Sequence, residues 1–309
     1  MDVIKDHDKL PAGLRGSMVT IGNFDGVHLG HQHIFRRLVE EARRRECPAV
    51  VISFEPHPKN VLHPERHPFY LITTLEEKIR LIEQTGIDAL ILIPFTLEYA
   101  QTSAGDFIHD ILWDRLRIRK ILIGHDYTFG RGREGNEAFL TDFGHRLGFE
   151  VEVMSAFQLN GTTISSTRIR DALLAGEVRF AASLLGRPYN LAGEVVPGHH
   201  RGVEIGFPTA NIRPDKEPLP PRGVYAVRAL LEGNRLPGVL NIGFNPTFSD
   251  TDRSIEAHLF DFHGDLYGRT LDILFIERLR DEVRFDGVAE LIAQIEQDIA
   301  RAREILKEG

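Results

Sequence analysis

Cysteine is nearly missing from this chain: Cys47 stands alone. One thiol cannot close an internal disulfide or build a cysteine-rich zinc site. Such usage fits a reducing cytoplasm, where we expect the chain to work. Positive charge is in deficit, with 37 Lys and Arg against 45 Asp and Glu and a net charge of -8. That balance argues against a general binder of nucleic acid or of anionic membranes, and leaves room for a local phosphate pocket. Long apolar runs are absent too. The longest, Ala89 to Ile93, is far too short to span a bilayer. Met1 to Lys9 is charged and lacks an apolar core, so no signal peptide is expected. There is no low-complexity tract, no short internal repeat and no Walker A pattern. Nothing sets an oligomeric state.

What is present is ordinary in bulk and specific in order. The 309 residues are 42% hydrophobic and 27% charged, as in a globular chain, and the length is comfortable for two domains. In the first half, apolar runs at Met18 to Ile21, Ala49 to Phe54, Ile87 to Phe95, Lys120 to Gly124 and Val151 to Val153 read as strands. Helical patterns alternate with them. Ile34, Leu38, Val39 and Ala42 form one. Leu75, Ile79 and Ile82 form another behind a Thr74 and Glu77 capping-box pair. Further helices are expected from about Ala104 to Leu116 and from Ala138 to Leu147. This alternation predicts a Rossmann-like parallel sheet with helices on both faces and ligands beyond the carboxyl ends of its strands.

The pattern changes near Gly186. Short β-like runs broken by Gly and Pro follow at Gly193 to Val196, Val224 to Leu231, Gly238 to Ile242, Ile255 to Phe260 and Thr270 to Phe275. They predict a small antiparallel barrel or sandwich. Pro214 to Pro221 reads as a surface loop. A final helix carries Val288, Leu291, Ile292, Ile295, Ile299, Ala302 and Leu306 as an apolar stripe expected to pack on the barrel. The expected domains are 1–186 and 187–309.

The densest motif, Gly22-Asn23-Phe24-Asp25-Gly26-Val27-His28-Leu29-Gly30-His31, follows the first strand and enters the first helix. Glycines allow a tight turn and close approach of a ligand. A helix N-terminus offers free amides and a positive dipole end to a phosphate. His28 and His31, three apart, can face one ligand and donate hydrogen bonds or, if protonated, charge. Solvent-facing histidines, or a metal cluster of His28, His31 and His33, are the competing readings. Gly130, Gly132 and Gly135 match Gly-x-Gly-x-x-Gly loosely, but away from a strand end, and read as a loop.

The first half resembles the nucleotidyltransferases with a His-x-Gly-His signature. More narrowly, it is similar to the FMN adenylyltransferase domain of bacterial bifunctional riboflavin kinase/FAD synthetases. Four segments carry the resemblance in the family's order: GNFDGVHLGHQ at 22–32, FEPHP at 54–58, GHDYTFGRGREG at 124–135 and ISSTRIR at 164–170. The resemblance implies that His28 and His31 bind the ATP phosphates, with Gly22, Phe24 and Gly30 beside them. It places Ser165, Ser166, Thr167 and Arg168 on the far side of those phosphates, where a guanidinium can fork onto oxygens. Asn23, Asp25, His57 and Asp126 match positions near the flavin. Without the resemblance, Arg168 reads as a surface helix residue and His57 as a rigid loop residue. The FMN phosphate would arrive ionised, since its second pKa is about 6. The histidines are therefore expected to stabilise charge and not to act as bases.

The second dense cluster, Gly206-Phe207-Pro208-Thr209-Ala210-Asn211, reads as a turn entering a strand. The second half resembles riboflavin kinase through GRPY at 186–189, GFPTANI at 206–212, GVYAV at 223–227, NIGFNPTF at 241–248, Glu256 to Phe262, and DLYG at 265–268. The resemblance implies a six-stranded Greek-key barrel with Thr209 and Asn211 at Mg2+ and the nucleotide, and Glu256 as catalytic base. Arg201 and Gly206 are expected at the ATP phosphates, and Arg280 beside the flavin. The implied enzyme phosphorylates riboflavin to FMN and adenylylates FMN to FAD, with ATP and small flavins as its partners. An enzyme of one activity, a flavin-binding regulatory protein and a nucleotidyltransferase of another substrate are the alternatives.

Overall fold

A computed structural model describes residues 1–64, 69–198, 202, 205–217, 220–244 and 253–307. The chain divides into two compact units, Met1–Ser166 and Thr167–Gly309.

The first unit is a six-stranded sheet. Its strands are β1 (Asp2–Ile4), β2 (Met18–Ile21), β3 (Ala49–Glu55), β4 (Ala89–Pro94), β5 (Lys120–Gly124) and β6 (Glu150–Met154). Their spatial order is β1-β4-β3-β2-β5-β6, and every pair is parallel. The central strands are apolar throughout because both faces are covered. Val19, Ile21, Val50 and Ile52 point into one core, and Met18, Ala49, Val51 and Leu122 into the other. α1 (Leu29–Arg44) and α3 (Leu75–Glu83) close the second core with Phe35, Leu38 and Ile82. Between them lies the short α2 (Pro58–Leu62). The capping box expected at Thr74 is present: Glu77 N donates to Thr74 Oγ1 at 3.2 Å, and Thr74 N to Glu77 Oε2 at 2.8 Å.

Two details differ from the sequence reading. β1 was not expected; it is three residues long, carries Asp2, and needs only one neighbour, β4. The helix expected from Ala104 to Leu116 begins as α4 (Ala104–Phe107) and widens into a π-helix over Ile108–Arg115. Leu116 N bonds to Ile111 O at 3.2 Å, five residues back, and Ile108, Ile111 and Leu112 reach the core. α5 (Glu137–Leu147) follows, capped by Asn136. The 130–135 glycines form a loop as expected. A Cβ on Gly130 would lie 2.6 Å from the backbone nitrogen of Ala104.

A hairpin, β7 (Gln158–Leu159) and β8 (Thr162–Thr163), turns at Asn160 and Gly161, both with positive φ. α6 (Ser166–Leu174) and α7 (Val178–Leu185) come next. α7 belongs to the second unit, where it packs on the barrel, so the structural division falls before residue 186.

The barrel comprises β9 (Tyr189–Val196), β10 (Ala210–Pro214), β11 (Gly223–Leu231), β12 (Asn234–Phe244), β13 (Arg253–Leu259) and β14 (Thr270–Arg280). It closes in the order β10-β13-β12-β11-β14-β9 with antiparallel neighbours. Glu232 and Gly233, both at positive φ, make the two-residue turn that joins β11 to β12. Tyr189, Tyr225 and Phe275 fill the interior.

α8 (Val288–Lys307) lays Ala302 and Leu306 on Val224, Ala226, Val239 and Phe260. Of the expected stripe, Ala302 and Leu306 are buried, Leu291, Ile292, Ile295 and Ile299 are half-buried, and Val288 is 59% exposed. The middle of the helix is tied by charge. Asp298, 7% exposed, receives Nε and Nη2 of Arg280 at 3.0 and 2.7 Å and Nε2 of Gln294 at 3.0 Å.

Removing one side of such a pair leaves a partly buried charge unmatched. Asp298→Ala should destabilise the barrel domain by roughly 3 kcal/mol in urea unfolding, and Arg280→Met with Asp298→Leu should lose clearly less.

Candidate active sites

β2 and β5 are neighbours whose following connections run to opposite sides of the sheet, so their carboxyl ends bound the crevice where such sheets take ligands. The chain leaves β2 through a tight loop in which Phe24, Gly26 and Val27 have φ of 51, 83 and 40°. Phe24 and Val27 adopt this costly conformation buried. A Cβ on Gly22 would lie 2.9 Å from the Phe24 ring, which explains the glycine.

The loop delivers His28 to the N-cap of α1. His28 Nδ1 accepts the backbone N–H of His31 at 3.3 Å. With Nδ1 used as acceptor, the proton of the neutral ring sits on Nε2, which remains a donor. The amides of Leu29 and Gly30 have no acceptor within the helix. Gly30 gives the His28 ring its space, since a Cβ would lie 3.2 Å from Nδ1. The two imidazoles stack at 3.5 Å with a 19° interplanar angle, and Phe24 meets His31 edge-on at 5.1 Å. Phe24 thus places its ring beneath the pair as support. His31 Nδ1 is buried without a hydrogen-bond partner among the described residues, the kind of nitrogen a ligand can satisfy. Burial, and then the neighbouring His28, push the His31 pKa well below the usual imidazole range. The pair is therefore arranged as neutral donors, where the sequence had left a charged form open. His33 turns to the Phe157 ring, 5.0 Å away.

Asn23, Asp25 and His57 meet around one narrow cavity of about 10 Å³, which Glu55, Thr73 and Lys78 also line. Asp25 is 4% exposed. Its carboxylate accepts Ile72 N at 3.0 Å, Thr73 N at 3.2 Å and Thr73 Oγ1 at 3.3 Å. His57 caps α2 by accepting Lys59 N at 3.2 Å, and its ring leans on Phe69. Lys78 was not singled out from the sequence. The available signal was a lysine inside the apolar stripe of Leu75, Ile79 and Ile82.

Asp126 stands apart. It is exposed on an open cavity of about 730 Å³ between the loop after β5 and α5, with Tyr127, Asn136, Glu137 and His145 also on the walls. Ser166 donates its hydroxyl to Asp25 O at 2.8 Å, which joins the start of α6 to the loop after β2. Ser165 is half-buried; Thr167 and Arg168 are exposed, and Arg168 lies over the Phe180 ring at 6.0 Å.

In the barrel, Glu256 is half-buried on β13 and sits opposite Asn211 on β10 and Asn241 on β12. Thr209 Oγ1 donates to Glu256 Oε2 at 3.4 Å. A Cβ on Gly198 would overlap the Asn211 side chain, and one on Gly202 would lie 2.3 Å from Phe207 O, so backbone passes close over this row. Gly206 turns with φ of 88°. Thr209, Asn211 and Glu256 offer a hydroxyl, an amide oxygen and a carboxylate at one place. That donor set fits a hard cation whose other ligands are phosphates and water. Arg201 lies outside the described residues. Arg280, expected beside the flavin, spends its guanidinium on Asp298 and on Asp281 O.

Fold and sites together define a two-domain chain, one domain a ligand-binding parallel sheet with a histidine-capped helix and the other a closed barrel with a carboxylate in a polar row. Family models match the same two parts: FAD synthetase over residues 10–168 and riboflavin kinase over residues 185–306. A bifunctional riboflavin kinase/FMN adenylyltransferase of Escherichia coli K12 is 40% identical over 96% of this chain and 95% of its own length. One of Haemophilus influenzae is 39% identical over 98% of both. A solved structure from Streptococcus pneumoniae, described as a macrolide-efflux protein, is 34% identical with a TM-score of 0.89 over 97% of this chain and 98% of that one. No helix among the described residues is long and apolar enough to cross a membrane. The chain belongs to the family of bifunctional riboflavin kinase/FMN adenylyltransferases.

The neutral His31 has a consequence for stability. The folded chain binds its proton less readily than the unfolded chain, so unfolding takes up a proton below the ordinary imidazole pKa of 6.5. Stability should fall as pH drops below about 6.5, at up to ~1.4 kcal/mol per pH unit for this one group. His31→Asn should lower the slope of unfolding free energy against pH by about one proton between pH 6.5 and 5.

Proposed function

We propose that residues 1–186 transfer the adenylyl group of ATP to FMN and that residues 187–309 phosphorylate riboflavin, both in the cytoplasm. The observation that carries this reading is the pairing, in one chain, of a helix N-terminus capped by a stacked histidine pair with a barrel row where Thr209 meets Glu256. The relatives above are named for both activities.

In adenylyl transfer a phosphate oxygen of FMN bonds to the α-phosphorus of ATP, and the bond to the bridging oxygen breaks to release pyrophosphate. The nucleophile is already ionised, its second pKa being about 6. The protein must align two anions and stabilise the leaving one. His28 donates from Nε2, His31 stands beside it, and the amides of Leu29 and Gly30 add donors. Ser165, Ser166, Thr167 and Arg168 serve the same phosphates, as the family resemblance implies. Asn23, His57 and Asp126 face the flavin, and Asp25 holds the loop that carries Asn23.

In the kinase reaction the nucleophile is the terminal ribityl hydroxyl, which is neutral and weakly acidic. Glu256 accepts its proton as the oxygen bonds to the γ-phosphorus of ATP and ADP leaves. Thr209 and Asn211 would hold Mg2+ together with the nucleotide, and the cation would offset the negative charge of the phosphates. Gly206 and Arg201 belong to the phosphate cover.

Product analysis with riboflavin, ATP and Mg2+ tests both halves. The wild-type chain should yield FMN and then FAD. His28→Ala should lower FAD formation by ~100-fold or more and leave FMN formation intact. Glu256→Ala should abolish FMN formation at a similar scale and still adenylate supplied FMN. FMN accumulating without FAD in the wild type overturns the bifunctional reading.

A further inference from the structure

The narrow cavity behind the loop after β2 holds a cation to which neither proposed reaction assigns a role. Lys78 lies in the apolar stripe of α3 and is 6% exposed. Its Nζ is 3.7 Å from Glu55 Oε2 and donates to Ser53 Oγ at 3.4 Å. Ser53 Oγ in turn donates to Asn23 O at 3.3 Å. Asp25 shares the cavity wall. Burial pulls the Lys78 ammonium below its ordinary range, while Glu55 and Asp25 oppose that pull.

A buried ammonium is expensive to desolvate, and a methionine or leucine would pack at this helical position without that cost. What lysine adds is charge. Two carboxylates stand in the wall behind Asn23 and His57, the residues assigned above to the flavin. Asp25 is buried and the Glu55 side chain is 35% exposed, so negative charge left unbalanced here is only partly screened from an approaching anion. The FMN phosphate is such an anion, and it must also come close to the phosphates of ATP.

We propose that Lys78 is a positioning residue for adenylyl transfer: the buried cation that offsets Glu55 and Asp25, so that the phosphate of FMN can approach the loop after β2. The inference rests on the adenylyl-transfer reading of the first domain. The cavity itself is too small to admit a flavin, so the lysine acts through the wall and through its Glu55 and Ser53 partners, without touching substrate.

The test is steady-state adenylylation of supplied FMN by the full chain, with thermal unfolding of the same preparations as the check on folding of the first domain and riboflavin phosphorylation as the check on enzyme concentration. Lys78→Met should raise the KM for FMN by about tenfold or more and leave the KM for ATP within about twofold. Lys78→Arg should stay near wild type. Adding Glu55→Gln to Lys78→Met should recover most of the lost FMN affinity, because it removes the charge that the lysine offsets. A merely structural lysine predicts no such recovery. An unchanged KM for FMN in Lys78→Met, or a double variant as impaired as the single one, overturns the proposal. Where Lys78→Met does not fold, Lys78→Gln with and without Glu55→Gln gives the same comparison. A wild-type chain that makes no FAD strikes the functional reading instead.

Discussion

The carboxylate of Asp25 gathers the amides of Ile72 and Thr73 and the Thr73 hydroxyl, while its own carbonyl receives the Ser166 hydroxyl. Three stretches distant in sequence are thereby fixed to one residue: the loop after β2, the strap before α3 and the start of α6. A buried carboxylate is tolerated because each donor stands in for water that burial removes. Gly26 N closes the other side by donating to Thr73 Oγ1 at 3.1 Å. With the loop held this way, Val27 stays at a φ that isolated valine avoids, and His28 enters the N-cap with extended φ and ψ of -72 and 172°. The imidazole stack follows from that placement. The free amides, the histidine donors and the Phe24 support beneath them all depend on a carboxylate that, on this geometry, works as a fastening.

The parts of this arrangement that could be read in sequence are the local ones. β2 to β5 announce themselves as apolar runs because helices cover both faces of the sheet, and the Thr74 and Glu77 box is complete within four residues. The Gly22 to His31 segment is legible for the same reason: its glycines, its cap and its histidines are contiguous. What Asp25 does was not legible, because its partners lie 47 and 48 residues away and are mostly backbone amides, which carry no side-chain signature. Lys78 escaped notice because its meaning lies in Ser53 and Glu55, on β3 and more than twenty residues away. Arg280 shows the same limit in the barrel. Its ion pair is made with Asp298, eighteen residues on and buried, which no local pattern announces. The widening to a π-helix after Phe107 is not legible, since Ala104, Phe107, Ile108, Ile111, Leu112 and Leu116 keep the three- and four-residue spacing of an ordinary α-helix.

On the proposed reactions, the two domains differ because their nucleophiles differ in acidity. A ribityl hydroxyl keeps its proton at neutral pH, so the barrel needs an acceptor close to the attacking oxygen, and Glu256 is held by Thr209 in a row where backbone crowds from both sides. A phosphate monoester has shed its proton before it arrives, so a base in the first domain would add nothing. What that domain must manage is charge that moves from one anion to another. Neutral imidazoles and helix amides donate hydrogen bonds that strengthen as negative charge builds on the leaving oxygens and carry no full counter-charge of their own. The burial that keeps His31 neutral therefore suits the reaction: the imidazole adds a group whose hydrogen bonds follow the charge on the leaving oxygens, full positive charge comes from Arg168, and the balancing of carboxylates falls to a lysine set back in the wall.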